Sequence, residues 1–220
     1  MRWLKKNRTI WVHIVYISGY SMNDLQDFMI SKTRVKMIEL FFTRPVEMYY
    51  VREITRATKE EINAVRRELE RMLNYGLLKS EQRGNRLYYY LNVKYVYYQE
   101  LQQMVAKSSG LGKKLRKLQR KLGSVAFAMF SARFIQGLKP RQDEVDILII
   151  GDLVLPELQA LIKEEEERLG REINYAVFSE EEFTFRKTRR DPFTMDILYG
   201  SRVMVIGNED EFVERQVPAV

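Results

Sequence analysis

Residues 49–91 limit what this chain can fold into more than any other stretch. A Tyr49-Tyr50 pair leads into VREITRAT, which reads as a short helix, and then into TKEEINAVRRELERMLNYG. In the second segment Ile62, Val65, Leu69, Met72 and Leu73 recur at helical spacing and predict a longer amphipathic helix. Thr58 with Glu61 three residues on has the pattern of a capping box that would start this helix. Gly76, after Asn74-Tyr75, would stop it. Leu77 to Ser80 and Arg86 to Leu91 then flank EQRGN, where Gly84-Asn85 can take positive φ in a tight hairpin turn. The expected order is a short helix, a turn, a longer helix and a hairpin with arginine near its tip.

The flanking chain extends this unit. Ser31 to Phe42 places Val35, Ile38, Phe41 and Phe42 on one helical stripe, with Lys32, Arg34 and Lys36 outside it. Arg44-Pro45 ends that helix, because the residue before proline avoids helical backbone. Val96 to Lys107 reads as a helix, Ser108-Ser109-Gly110 as a break, and LGKKLRKLQRKL (111–122) as a basic amphipathic helix. Beyond it strands and helices alternate: Val125–Phe130, Glu144–Ile150, a helix from Pro156, Glu172–Phe178, helices from Ser179 and Asp191, and Arg202–Ile206. The unbroken apolar run of EVDILII predicts a strand buried on both faces. The fold class is therefore α+β. Its parts are a domain over 22–107, a basic linker helix over 108–122 and a small α/β domain over 123–220. Residues 1–21 are an apolar run of about a dozen residues behind a basic start, short of the ~20 that span a membrane. No small-residue cleavage pattern follows. They read as a mis-assigned or loosely attached extension, with Met22 as an alternative start.

Charge divides at the same boundary. Residues 1–122 hold 25 Lys and Arg against 11 Asp and Glu, a net +14, while residues 123–220 hold 12 against 19, a net −7. A basic first half suits a polyanion. The absence of cysteine excludes disulfides and thiolate metal sites and suits a cytoplasmic setting. A single histidine argues against histidine metal centres and triads.

The helix–turn–helix–hairpin order resembles the winged helix-turn-helix arrangement, whose second helix enters the major groove of double-stranded DNA. Off the apolar stripe, Thr58, Lys59, Glu60, Asn63, Arg66 and Arg67 would face the groove. Asn63, Arg66 and Arg67 are the expected base readers, since asparagine pairs with adenine and arginine with guanine. Arg83 and Arg86 would lie near phosphates or the minor groove, and Lys32, Lys36, Arg52 and Arg56 would contact phosphates. Tyr88, Tyr89, Tyr90, Tyr95, Tyr97 and Tyr98 read as packing residues, since alternation across a strand turns about half of such residues to a core.

The second half carries VAFAMF, DEVDILIIGD, LPELQALIKEEEERLG and REINYAVFSEEEF. These segments resemble the small nucleotidyltransferase domains of the DNA polymerase beta superfamily. A winged helix ahead of such a domain resembles a recurrent family of prokaryotic transcriptional regulators. The resemblance implies a Gly-Ser after the first strand, Asp-x-Asp on the second and a third carboxylate later, holding two magnesium ions. This chain has Phe130-Ser131, Glu144-Val145-Asp146, and Asn174 with Glu172 two residues away. An active site would use Ser131, Glu144, Asp146 and Glu172, with magnesium on Glu144 and Asp146. Lacking the glycine, the domain is expected to serve dimerisation or the sensing of a protein or nucleotide effector, without a cofactor. Glu164 to Glu167 and Glu180 to Glu182 read as solvated helix faces. The expected protein is a homodimeric DNA-binding regulator that does not enter membranes. The alternatives are a magnesium-dependent nucleotidyltransferase and an antitoxin-like, partner-binding protein.

Overall fold

The computed structural model describes residues 29, 31–141 and 144–214. The expected extension over 1–21 and the Met22 start lie outside the described residues. These hold ten helices and two small sheets in a mixed α+β arrangement. No helix among them is long and apolar enough to cross a membrane.

Helix α1 (Lys32–Thr43) begins where the Ser31 side chain accepts a hydrogen bond from the Arg34 amide. It ends before Pro45, with Arg44 out of helical backbone at φ −134°. Its apolar stripe is buried, and so is Met37, one residue off it. The cause is tertiary: α1 packs against α2 (Val51–Thr58), α3 (Ile62–Asn74) and α4 (Tyr98–Ser108), so its buried arc is wider than one neighbour requires. Strands β1 (Tyr49–Tyr50), β2 (Leu78–Arg83) and β3 (Arg86–Leu91) form an antiparallel sheet in the order β1-β3-β2. Arg83 pairs with Arg86 across a two-residue turn in which Gly84 takes φ +58°, while Asn85 does not adopt positive φ.

The turn between α2 and α3 differs from expectation. Thr58 is the last residue of α2, is 5% exposed, and spends its hydroxyl on the carbonyl of Ile54. Glu61 caps α3 in its place, its carboxylate accepting from the Asn63 and Ala64 amides. The capping box fails because Lys59 leaves α2 in left-handed backbone at φ 56°, which carries the helix end past Thr58.

Helix α4 meets α5 (Gly110–Leu122) at a tight corner around Ser109. A second sheet follows, built from β4 (Gly123–Ser131), β5 (Ile147–Leu153), β6 (Tyr175–Phe178) and β7 (Arg202–Ile206), in the order β6-β5-β4-β7. Its β5 and β6 run parallel, joined across α7 (Leu155–Leu169), and the other pairs are antiparallel. Leu111, Leu115 and Leu122 of α5 and Leu158 and Ile162 of α7 pack on one face with Ile147 and Ile149. Leu148 and Ile150 face the other way with Met129, Phe183 and Phe212. Both faces are thus covered, which accounts for the unbroken apolar run of β5. Helices α6 (Ala132–Ile135), α8 (Glu180–Thr188), α9 (Pro192–Tyr199) and α10 (Glu209–Val213) complete the chain. The second and third strands start later than their sequence patterns suggest, at Ile147 and Tyr175. Glu165 is no solvated face residue: it is buried and paired with Arg168.

The corner between α4 and α5 depends on Gly112. A Cβ there would stand 1.8 Å from the Ala106 carbonyl oxygen and 3.4 Å from the Phe130 ring. Gly112→Ala is expected to lower stability by about 1–3 kcal/mol through this overlap, as measured by urea unfolding.

Candidate nucleic-acid interface

The exposed face of α2 and α3 is built from residues one helical turn apart. Arg52, Arg56 and Lys59 follow one another on α2 and its cap, and Asn63, Arg66 and Arg67 do so on α3. All six are exposed. Arg52, Arg56, Lys59, Arg66 and Arg67 make no hydrogen bond or ion pair among the described residues. Lys32 is also exposed, at the start of α1.

Three residues expected at the groove or the phosphates are engaged elsewhere. Thr58 is buried, as described. Lys36 donates to the Thr58 carbonyl and to the Glu60 carboxylate, which also accepts from Thr33. Glu60 is thereby committed to α1 and is held below the ordinary carboxylate pKa by Lys36 first and Thr33 second. The pair locks the α2–α3 turn onto α1 in place of facing a ligand.

The hairpin arginines are supported by rings. Arg86 lies over Tyr50 at 4.6 Å, Arg83 over Tyr88 at 6.0 Å, and the two tyrosines meet edge to face at 5.6 Å. Arg83 also pairs with Glu81, but both partners are about half exposed, so solvent and a competing phosphate can displace the pair. Tyr89 is buried, and desolvation raises its phenol pKa while the nearby Arg66 charge pulls it back.

Behind this face lies a group that sequence reasoning missed. Glu68 is 4% exposed and accepts hydrogen bonds from Ser31, Arg34 and Arg71. Burial opposes its ionisation, yet the bonds from Arg34 and Ser31 outweigh that and hold its pKa below the usual value. The signal was legible: Glu68 falls on the α3 stripe between Val65 and Met72, where an unpaired acid is costly.

The acids of the second half adopt a different arrangement from the one the resemblance implies. Asp146 is fully buried before β5 and paired with Arg171 at 2.9 Å. It also accepts from the Asn174 amide at 3.2 Å. Glu144 faces Arg133 and Arg141 at 3.3 and 3.5 Å. Ser131 caps α6, accepting from the Phe134 amide, and Glu172 is exposed ahead of β6. Arginines already occupy both carboxylates, and no group of three His, Cys, Asp or Glu able to hold a metal occurs among the described residues. These donors do not fit a pair of magnesium ions, which needs converging carboxylates free of cationic partners. Arg171, the decisive residue, carries no signal in a motif centred on acids.

No family model, curated protein or solved structure matches this chain. The geometry alone therefore carries the functional reading.

Two outcomes test these networks. The depressed pKa of Glu68 means that the unfolded chain takes up its proton first as pH falls. Its stabilising contribution is present above about pH 4.3 and is lost as pH drops through the lower folded value. Relative to Glu68→Gln, the wild type should lose stability over that acid range in pH-dependent chemical unfolding. Arg171→Ala leaves Asp146 buried without its cation and should cost about 3–5 kcal/mol in urea unfolding, with no recovery on adding magnesium.

Proposed function

We propose that this protein is a sequence-specific DNA-binding transcriptional regulator of the winged helix-turn-helix type. The observation that carries the reading is the row of five exposed, unpaired cations on α2 and α3. Cations without carboxylate partners are free to take phosphates and release counterions. The unit has the parts such recognition uses. Helix α3 offers Asn63, Arg66 and Arg67 to base edges, Arg52, Arg56 and Lys59 suit the backbone, and the hairpin holds Arg83 and Arg86 over tyrosine rings.

The second half we read as a nucleotidyltransferase-like scaffold whose acids have been turned to structural ion pairs. It would serve dimerisation or the sensing of a protein or nucleotide effector in a cytoplasmic homodimer. Two copies on a two-fold-related site would lengthen the readout. The interlock of Asp146 with Arg171 supports a scaffold over catalysis.

Selection from a random duplex pool, followed by binding titrations, tests the reading. A compact, inverted-repeat site is expected. Arg66→Ala and Arg67→Ala should each lose about 1–3 kcal/mol of discrimination against the wrong base. Unchanged preference in both variants would remove α3 as the reading helix.

A further inference from the structure

Helix α5 carries six cations, Lys113, Lys114, Arg116, Lys117, Arg120 and Lys121, and no acid. Its apolar side is spent on the second sheet through Leu111, Leu115 and Leu122. Lys114 is drawn to Glu164, and Arg116 donates to the Lys107 carbonyl. Lys117, Arg120 and Lys121 are exposed and make no hydrogen bond or ion pair among the described residues.

This is a self-repelling arrangement. Lys117 and Lys121 stand four apart, and so do Arg116 and Arg120, a spacing that brings like charges together on a helix surface. Most described arginines beyond α5 are handled differently: Arg133, Arg141, Arg168, Arg171, Arg186 and Arg202 each meet a carboxylate, while Arg189 and Arg190 do not. An acid at one exposed α5 position would have relieved the repulsion at no cost to the core. The outer face of α5 also lacks the apolar or aromatic centre that a protein contact uses, and lysine is depleted from such contacts. A polyanion matches what remains.

The position suits one polyanion in particular. A single groove is lined by Ala57, Thr58 and Lys59 together with Ser109, the residue before α5. The start of α5 thus shares a groove with the turn between α2 and α3, and the helix's 13 residues extend over about 20 Å. That length covers roughly six base pairs of duplex.

We propose that the α5 ridge is a second phosphate-binding surface, which holds the backbone of DNA flanking the segment read by α3. The inference rests on the DNA-binding reading above. It assigns the ridge affinity without sequence preference, since cations on phosphates carry no base information.

The test uses the full chain, a random-sequence duplex as probe and binding measured over a range of salt. The variants are the triple substitution Lys117→Gln, Arg120→Gln and Lys121→Gln, and the double substitution Arg66→Ala and Arg67→Ala. The triple variant should melt like the wild type and reduce the slope of log K against log salt by roughly two to three. It should weaken binding at low salt by more than about tenfold and leave the preference found by site selection intact. The double variant should lose that preference. Wild-type binding with an unchanged slope in the triple variant overturns the ridge and leaves the DNA reading standing. An unchanged slope with a changed sedimentation mass reassigns α5 to a protein contact. Failure of the wild type to bind any duplex overturns both.

Discussion

A carboxylate inside an apolar cluster costs several kcal/mol unless its oxygens are filled, and Glu68 fills them from three directions. Arg34 and Ser31 reach it from the start of α1, and Arg71 from one turn along α3. The bonds from Ser31 and Arg34 cross between the helices and tie the start of α1 to α3, while Arg71 neutralises the same carboxylate from within α3. The Lys36–Glu60–Thr33 cluster does the same for the turn before α3. Both consume charge inside the fold. The cations that remain free, from Arg52 to Arg67, are thereby presented on a platform that has little freedom to adjust. If α3 reads base edges as proposed, fixed placement would serve it, because bidentate pairing tolerates little displacement.

The second half distributes its charge by the opposite rule. Asp146 and Glu165 are buried against Arg171 and Arg168, and both arginines border a cavity of about 300 Å³ between the two halves, along with Phe42, Phe130 and Phe134. Helix α5 joins the regimes. One side belongs to the core beneath the second sheet, and the other carries the exposed Lys117, Arg120 and Lys121. The point where net charge changes sign thus falls on a packed element. It is the outer face of a helix whose inner face is structural, and the Gly112 contact with Ala106 ties that helix back to α4.

Periodicity made much of this legible. The stripes of α1 and α3, the hairpin turn, the break before α5 and the two-sided burial of β5 all follow from apolar spacing and turn chemistry that act over a few residues. What local pattern missed depends on distant partners. Thr58 and Glu61 have the spacing of a cap, but Lys59 adopts left-handed backbone and the cap moves to Glu61. Lys36 reads as a surface cation until α2 and the turn bring Glu60 to it. Met37 is buried because three helices surround α1, a fact absent from α1 itself. Glu68 was the exception: its place on the apolar stripe announced a buried acid, and a buried acid implies donors.

The acidic motif of the second half shows the same limit in a site. Glu144 and Asp146, one residue apart, have the spacing of a metal-binding pair, yet spacing along a strand says nothing about what stands opposite. Arg171 stands opposite Asp146, 25 residues later, held across the Phe134 ring at 5.5 Å. With its guanidinium there, the carboxylate is already neutralised, and a divalent ion would have to displace a buried cation and bear its desolvation again. Ser131, a candidate for the active site that the resemblance implies, is likewise turned to capping α6. The polar groups at these strand ends thus close on one another, and the buried pair of Asp146 and Arg171 joins the chain before β5 to the segment that leads into β6.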